Sequence, residues 1–213
     1  MSDAAEKFHA AYRLMKESSG GSRLAQAADL MKEAADLGHP GAANNFGAML
    51  QYGRGASLDL KAARKYYAQA ANSGLPAGLF NFGFMLLNGL GGPKDVSGAR
   101  RLFELAALSD DLDALSHLGR MAMLGEGGDE DFAAARAYWE RGAKLGDGRC
   151  AFNLGVANAG GHGAPPDFVE AYTWFEKAAA LGNASALQEM RKLQTVMSEQ
   201  ELVRAKTNAS QAL

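Results

Sequence analysis

The sequence predicts an all-α protein built as a stacked array of helix pairs. Three observations carry this: a strict 36-residue period, glycines at fixed places within it, and apolar residues at helical spacing in between. Phe46-Gly47 returns as Phe82-Gly83, Leu118-Gly119 and Leu154-Gly155. Gly-x-Gly returns as Gly53/Gly55, Gly89/Gly91, Gly125/Gly127 and Gly161/Gly163, followed by Asp59, Asp95, Asp131 and Asp167, then Ala63, Ala99, Ala135 and Ala171. Next come large pairs (Tyr66-Tyr67, Leu102-Phe103, Tyr138-Trp139, Trp174-Phe175) and small pairs (Ala70-Ala71, Ala106-Ala107, Gly142-Ala143, Ala178-Ala179). No residue is inserted or deleted across these four units, and chance does not produce such a register.

Each element has a local reason. The array divides into a degenerate first repeat over 4–40, regular repeats over 41–76, 77–112, 113–148 and 149–183, and capping helices over 184–213, in one domain spanning 1–213. In the first repeat Ala10-Ala11 replaces the apolar-Gly pair and the turn glycines move to Gly20-Gly21. Within a regular repeat, Leu79, Phe82, Met85 and Leu86 trace one face of a first helix, which the glycine turn and Pro93 end. The recurring Asp is placed to cap the second helix. Small residues such as Ala63 let the two helix backbones approach, and the bulky pair is expected to fill the space between units. Glycine at 38, 74, 146 and 182 ends the second helix. Asp110 replaces it in the third repeat, so a different turn is expected there. At the C-terminus, Ala184 to Met197 reads as a helix with Leu187, Met190, Leu193 and Val196 on one side. Ser198 and Glu201 then form a capping box. They open a short last helix, with Leu202, Val203 and Ala205, that folds back over the fifth unit; the final residues Asn208 to Leu213 are expected to fray.

The pattern Ala-x-x-x-Leu-Gly, Gly-x-Gly, Asp, Ala, a Trp/Tyr pair and Ala-Ala-x-x-Gly resembles the Sel-one-like repeat, a relative of the tetratricopeptide repeat, over roughly residues 4 to 190. The resemblance implies a right-handed α/α superhelical solenoid of about five 36-residue helix-turn-helix repeats. It also implies a scaffold or adaptor for other proteins, as in many bacterial signalling and envelope assemblies.

Composition narrows the function. The chain has 213 residues, with 22 Lys+Arg against 24 Asp+Glu, so its net charge of −2 gives no electrostatic reason to expect nucleic acid or anionic lipid. No apolar run approaches the roughly 20 residues of a membrane span. The polar, acidic start (Met1-Ser2-Asp3) does not resemble a secretory signal, so a cytoplasmic location is expected. No metal, cofactor or catalytic residue is expected. His9, His39, His117 and His162 lie in different repeats at no ligand spacing, and His117 stands where other repeats have Asn45, Asn81 and Asn153. The single Cys150 occupies a position otherwise held by Ala or Gly, which reads as a small buried contact in preference to a nucleophile. The Gly-x-Gly turns follow helices and lack Lys-Ser/Thr, so they are not phosphate loops. The Asn series could bind the backbone of an extended peptide or tie neighbouring helices together, the latter reading being preferred.

In tetratricopeptide arrays the first helices line a concave groove, and by that resemblance the partner-binding positions are Tyr12; Asn44 and Gln51; Phe80, Phe84 and Leu87; Ser116, Arg120 and Met123; Phe152 and Val156. Aromatic residues, Met and Arg are the residue types enriched in interface cores. Phe80 and Phe152 could equally belong to the core. Phe84 is the sharper candidate, because its counterparts Ala48, Arg120 and Val156 show that the fold does not demand an aromatic there. The expected function is a non-enzymatic adaptor holding a peptide or protein segment. A small-molecule or lipid pocket, or a hydrolase, in the same groove is the alternative, and self-association through the degenerate first repeat is a third. A monomer is favoured over an oligomer.

Overall fold

The computed structural model describes residues 2–17 and 21–212; Ser18, Ser19 and the displaced turn glycine Gly20 lie outside the described residues, as do Met1 and Leu213. Twelve helices are described, and they form two compact units. The first unit, Met1–Asp111, holds α1 (Asp3–Glu17), α2 (Gly21–Asp36), α3 (Pro40–Tyr52), α4 (Leu60–Asn72), α5 (Pro76–Asn88) and α6 (Val96–Ala107). Here α1 pairs with α2, α3 with α4 and α5 with α6, and the pairs stack through α2 on α3 and α4 on α5. The second unit, Leu112–Leu213, holds α7 (Leu112–Leu124), α8 (Phe132–Lys144), α9 (Gly148–Gly160), α10 (Phe168–Ala180), α11 (Ser185–Gln194) and α12 (Glu199–Ala212). Its pairs are α7 with α8 and α9 with α10, while α11 and α12 both pack on α10.

The period works through three contacts. Asp59, Asp95, Asp131 and Asp167 each accept a hydrogen bond from a backbone N–H three residues on, at 2.8–2.9 Å, as the capping reading predicts. The first turn glycine, such as Gly53 with φ 63°, closes the first helix in the left-handed region. The second does more than turn: a Cβ on Gly55 would overlap the Leu24 carbonyl and one on Gly91 the Leu60 carbonyl. These turns are therefore joints against the preceding repeat's second helix.

The large pair does not fill the space between units as expected. Its second member, Tyr67, Phe103, Trp139 or Phe175, is buried against the first helix of its own repeat, over Gly47, Gly83, Gly119 or Gly155, where any Cβ would strike the ring. In the second repeat the first member reaches a neighbour: the Tyr66 hydroxyl donates to Asp36 of the preceding repeat at 3.0 Å. Stacking also uses an arginine series that the sequence reading passed over. Arg64 donates to the Pro93 carbonyl of the next repeat's turn at 2.9 Å, and Arg136 donates to Asn158 Oδ1 at 2.8 Å.

Three further expectations are corrected. Asp110 adopts φ 57°, the left-handed conformation of the glycines at the equivalent positions, so the third repeat keeps the same turn. Aspartate is one of the few side chains that tolerate this region. The first capping helix, α11, stops at Gln194 instead of reaching Met197, and Leu187 and Val196 are exposed while Leu193 is buried. The last helix continues to Ala212 with Ala209 buried, so residues 208–212 are helical instead of frayed. The Ser198–Glu201 capping box forms as expected: Glu201 Oε2 accepts from the Ser198 N–H at 2.8 Å, and Ser198 Oγ accepts from the Glu201 N–H at 3.3 Å. The seat for α12 is prepared on α10. Positions that are Lys61, Arg64 and Lys65 on α4 become the buried Val169, Tyr172 and Thr173 on α10. Thr173 Oγ1 donates to the Ala205 carbonyl of α12, and the Tyr172 hydroxyl accepts from Gln194.

Candidate functional site: the first-helix face

The predicted binding residues fall into three columns along the first helices, and the structure orients the columns differently. The column at 44, 80, 116 and 152 is half-buried, and its two aromatic members lean on the second helix. Phe80 lies 5.4 Å from Phe103 between ring centroids, and Phe152 lies 5.4 Å from Phe175. Asn44 Oδ1 accepts from Asn81 Nδ2 at 2.8 Å, and the Ser116 carbonyl accepts the Trp139 indole N–H at 3.2 Å. Phe80 and Phe152 are thus partly core, one of the two readings open to them. Asn81 ties α5 to α3, which is the structural role preferred for the Asn series.

The column at 51, 87 and 123 points inward. Gln51 accepts a 2.7 Å hydrogen bond from the Tyr67 hydroxyl, Met123 packs against the core that contains Trp139, and Leu87 is only 7% exposed. The reason is helical geometry. Each of these residues follows Gly47, Gly83 or Gly119 by four and so shares the face that receives the second-helix aromatic. Leu87 is accordingly a core residue and does not line an open surface.

The column at 12, 84, 120 and 156 faces outward. Tyr12 and Val156 are exposed, and Phe84 is partly exposed with its ring 6.3 Å from Phe80. Arg120 is partly exposed and pairs with Glu126 at 2.9 Å. The same geometry places Tyr52 and Leu124, both exposed, one turn beyond Ala48 and Arg120 on this outward stripe. The sequence reading omitted them, and their signal was the spacing of four from the outward column.

The ionisable residues of the second unit do structural work. His117 donates from Nδ1 to the Asp113 carbonyl at 2.9 Å, and burial pushes its imidazole below the usual histidine range. Cys150 is fully buried, and burial pushes its thiol up to about 12, which leaves no thiolate nucleophile near neutral pH. Arg149, also unforeseen, bridges Asp147 at 2.6 Å and Asp113 at 2.5 Å, so it ties the first turns of α9 and α7 together. Burial pushes the Asp147 carboxyl up, but Arg149 and the backbone N–H groups of Cys150 and Arg149 outweigh that and hold it below the usual carboxylate range. Its carboxylate caps α9 by accepting from the Arg149 and Cys150 amides. Among the described residues no three His, Cys, Asp or Glu side chains are grouped to hold a metal ion. Also among them, no helix is long and apolar enough to cross a membrane.

Comparison with known proteins gives this architecture a family. The Sel1 repeat matches five times, over residues 9–39, 40–75, 76–111, 112–147 and 148–183. No curated protein matches the chain. Among solved structures, the chain is similar to a Sel1 repeat protein from Oxalobacter formigenes, with TM-score 0.79 and 26% identity, covering 87% of this chain and 76% of that one. It also resembles a protective antigen of uropathogenic Escherichia coli with an SLR fold, at TM-score 0.80 and 24% identity; 98% of this chain is covered but only 46% of the antigen. An immunity protein from Pseudomonas aeruginosa matches at TM-score 0.56 and 19% identity, covering 87% of this chain and 69% of that one. The last two likenesses show the fold alone. Sel1 repeat proteins generally act as protein-interaction scaffolds, and their fold is typically non-catalytic. With five matched repeats over nearly its whole length, the chain belongs to the Sel1 repeat family.

Proposed function

We propose that this protein is a non-enzymatic, cytoplasmic scaffold, monomeric and of bacterial type, that holds a segment of a protein partner on the first-helix face of its repeats. Nucleic acid and membrane are not its targets. The observation that carries the reading is Phe84. It is a partly exposed aromatic at an outward position where the other repeats carry Ala48, Arg120 and Val156, and it is braced by Phe80, which rests on buried Phe103. An aromatic held in this way loses little rotamer freedom when a partner arrives, which is the advantage of a preorganised surface. Aromatic side chains supported by neighbours are also the usual anchors of protein interfaces. Tyr12 in the same unit, and Arg120 and Val156 in the second unit, extend this character on the faces of their own helices. Asn44, Gln51, Ser116, Met123 and Phe152 support the face from behind.

The test is affinity capture from the native host lysate, with wild type compared to Phe84→Glu after the variant's circular dichroism and thermal unfolding have been matched to wild type. A protein enriched by wild type and lost with the variant supports the reading. Equal capture by both removes Phe84 from the binding surface, and capture of nothing by either counts against a scaffold.

A further inference from the structure

A cavity of about 340 Å³ opens in the first unit between α1 and α3, beside the start of α2. Its walls include Tyr12 and Met15 from α1, Asn45, Met49 and Tyr52 from α3, and Arg54 from the turn that follows. Ala48 of α3 lines it, at the position where α5 carries Phe84. The walls are mainly apolar, with Tyr12 53% and Tyr52 66% exposed.

Besides the hydroxyls of Tyr12 and Tyr52, which can donate or accept, the polar side chains at this cavity are Arg54 and Asn45. Arg54 makes no ion pair or side-chain hydrogen bond among the described residues, so its guanidinium stands at the cavity with its charge uncompensated there. The Asn45 carboxamide oxygen is engaged by Asn44 at 3.5 Å, which leaves its two N–H donors. Among the described residues no Asp or Glu lines the cavity. A pocket that offers a guanidinium and amide donors beside aromatic and thioether walls is complementary to an anion on an apolar stem. Its planar fork of donors matches a carboxylate in particular.

We propose that this cavity is a binding site for a monocarboxylate carried on an apolar body. The carboxylate pairs with Arg54 and accepts from Asn45, while the body lies between the two tyrosine rings against Met15 and Met49, whose flexible side chains adapt to its shape. A free aryl or alkyl acid and the C-terminal residue of a polypeptide present this same chemistry. The site shares Tyr12 with the face of the scaffold reading, but Phe84, which carries that reading, is not among its walls.

The experiment titrates the full-length protein calorimetrically with two matched pairs. One is 4-phenylbutyrate and 4-phenylbutyramide; the other is acetyl-Ala-Ala-Phe with a free C-terminus and the same peptide as its amide. The expected result is that one of the two acids binds with Kd below about 1 mM, and that its amide binds at least about tenfold more weakly. Arg54→Gln should bring that acid to within about twofold of its amide, whereas Tyr52→Ala should weaken acid and amide alike. Both substitutions fall on exposed side chains, and unchanged thermal unfolding confirms the fold. Which acid binds distinguishes a free acid from a chain terminus. The proposal is overturned if neither acid binds at about 5 mM, if acid and amide bind equally, or if Arg54→Gln keeps the preference for the acid.

Discussion

The sulfur of Cys150 on α9 occupies the space that a methyl group on Gly142 of α8 would need. The joint between α4 and α5 shows the same fit with the sizes exchanged, since there a methyl on Gly78 of α5 would strike Ala70 of α4. Between α10 and α11 the two positions are Ala178 and Ala186, both buried. All three joints are built from small side chains, and where one helix carries the larger of the two the other carries glycine.

Gly142→Ala should therefore overpack the joint. Overpacking costs about 1–3 kcal/mol, and the better helix propensity of alanine returns up to about 1 kcal/mol, so a net loss of about 1–2 kcal/mol is expected in urea unfolding. Adding Cys150→Ala recreates the Ala/Ala joint seen at Ala178 and Ala186, and it should restore most of that loss. Strict additivity of the two substitutions would show that the residues do not share one space.

Cys150 should resist thiol reagents in the folded protein and react once denaturant opens the chain. Its folded thiol titrates at about 12 against an ordinary value of 9.0, because burial disfavours the thiolate. As pH rises the unfolded chain loses this proton first. The contribution to stability is thus complete below about pH 9 and is lost as the pH climbs toward 12. Unfolding free energies at about pH 8 and about pH 10 should differ less for Cys150→Ala than for wild type. Part of the alkaline loss should remain, because the phenol of Tyr67 is also pushed up by burial.

His117 should produce the opposite slope on the acid side. Burial holds its folded value below the ordinary 6.5, with Arg120 and Arg149 adding to the effect. The unfolded chain takes up the proton first as pH falls, so this contribution is complete above the ordinary value and is lost as the pH drops through the folded one. His117→Asn, which installs the residue found at 45, 81 and 153, should flatten the dependence between about pH 7.5 and about pH 5.5. An unchanged slope would assign the acid sensitivity to other groups.

Tyr172→Arg should undock α12. Arginine is the residue at the equivalent positions 64, 100 and 136, but on α10 the site is buried in the core that includes Ala205 of the last helix and cannot solvate a charge. Hydrogen exchange is expected to show protection in 199–212 falling at least about tenfold while α7 and α8 keep theirs. Intact protection of α12 would mean that Tyr172 is not what holds it.

The parts of the fold that were legible in the sequence are those governed by neighbours a few residues apart. The helix starts at Asp59, Asp95, Asp131 and Asp167, the left-handed turn at Gly53 and the box at Ser198 and Glu201 each close hydrogen bonds within five residues. The binding face was legible only in part. Residues 44, 48 and 51 all lie on α3 and all looked like surface, yet the Tyr67 contact with Gly47 and Gln51 turns one of their columns inward.

By itself, then, the sequence determined the helices, their order, their caps and their 36-residue spacing, because these follow from backbone hydrogen bonding and local steric preference repeated unit after unit. Only the tertiary structure decided that Gln51 turns inward to Tyr67, that Leu87 belongs to the core, that Thr173 meets the last helix, and that Arg54 stands beside an open cavity. Those outcomes depend on partners sixteen or more residues away. Tyr67 on Gln51, separated by 16 positions, and Arg136 on Asn158, separated by 22, are two such pairs. Burial, proton affinity and empty volume are properties of how such distant side chains meet, and the 36-residue period leaves them free to differ from one repeat to the next.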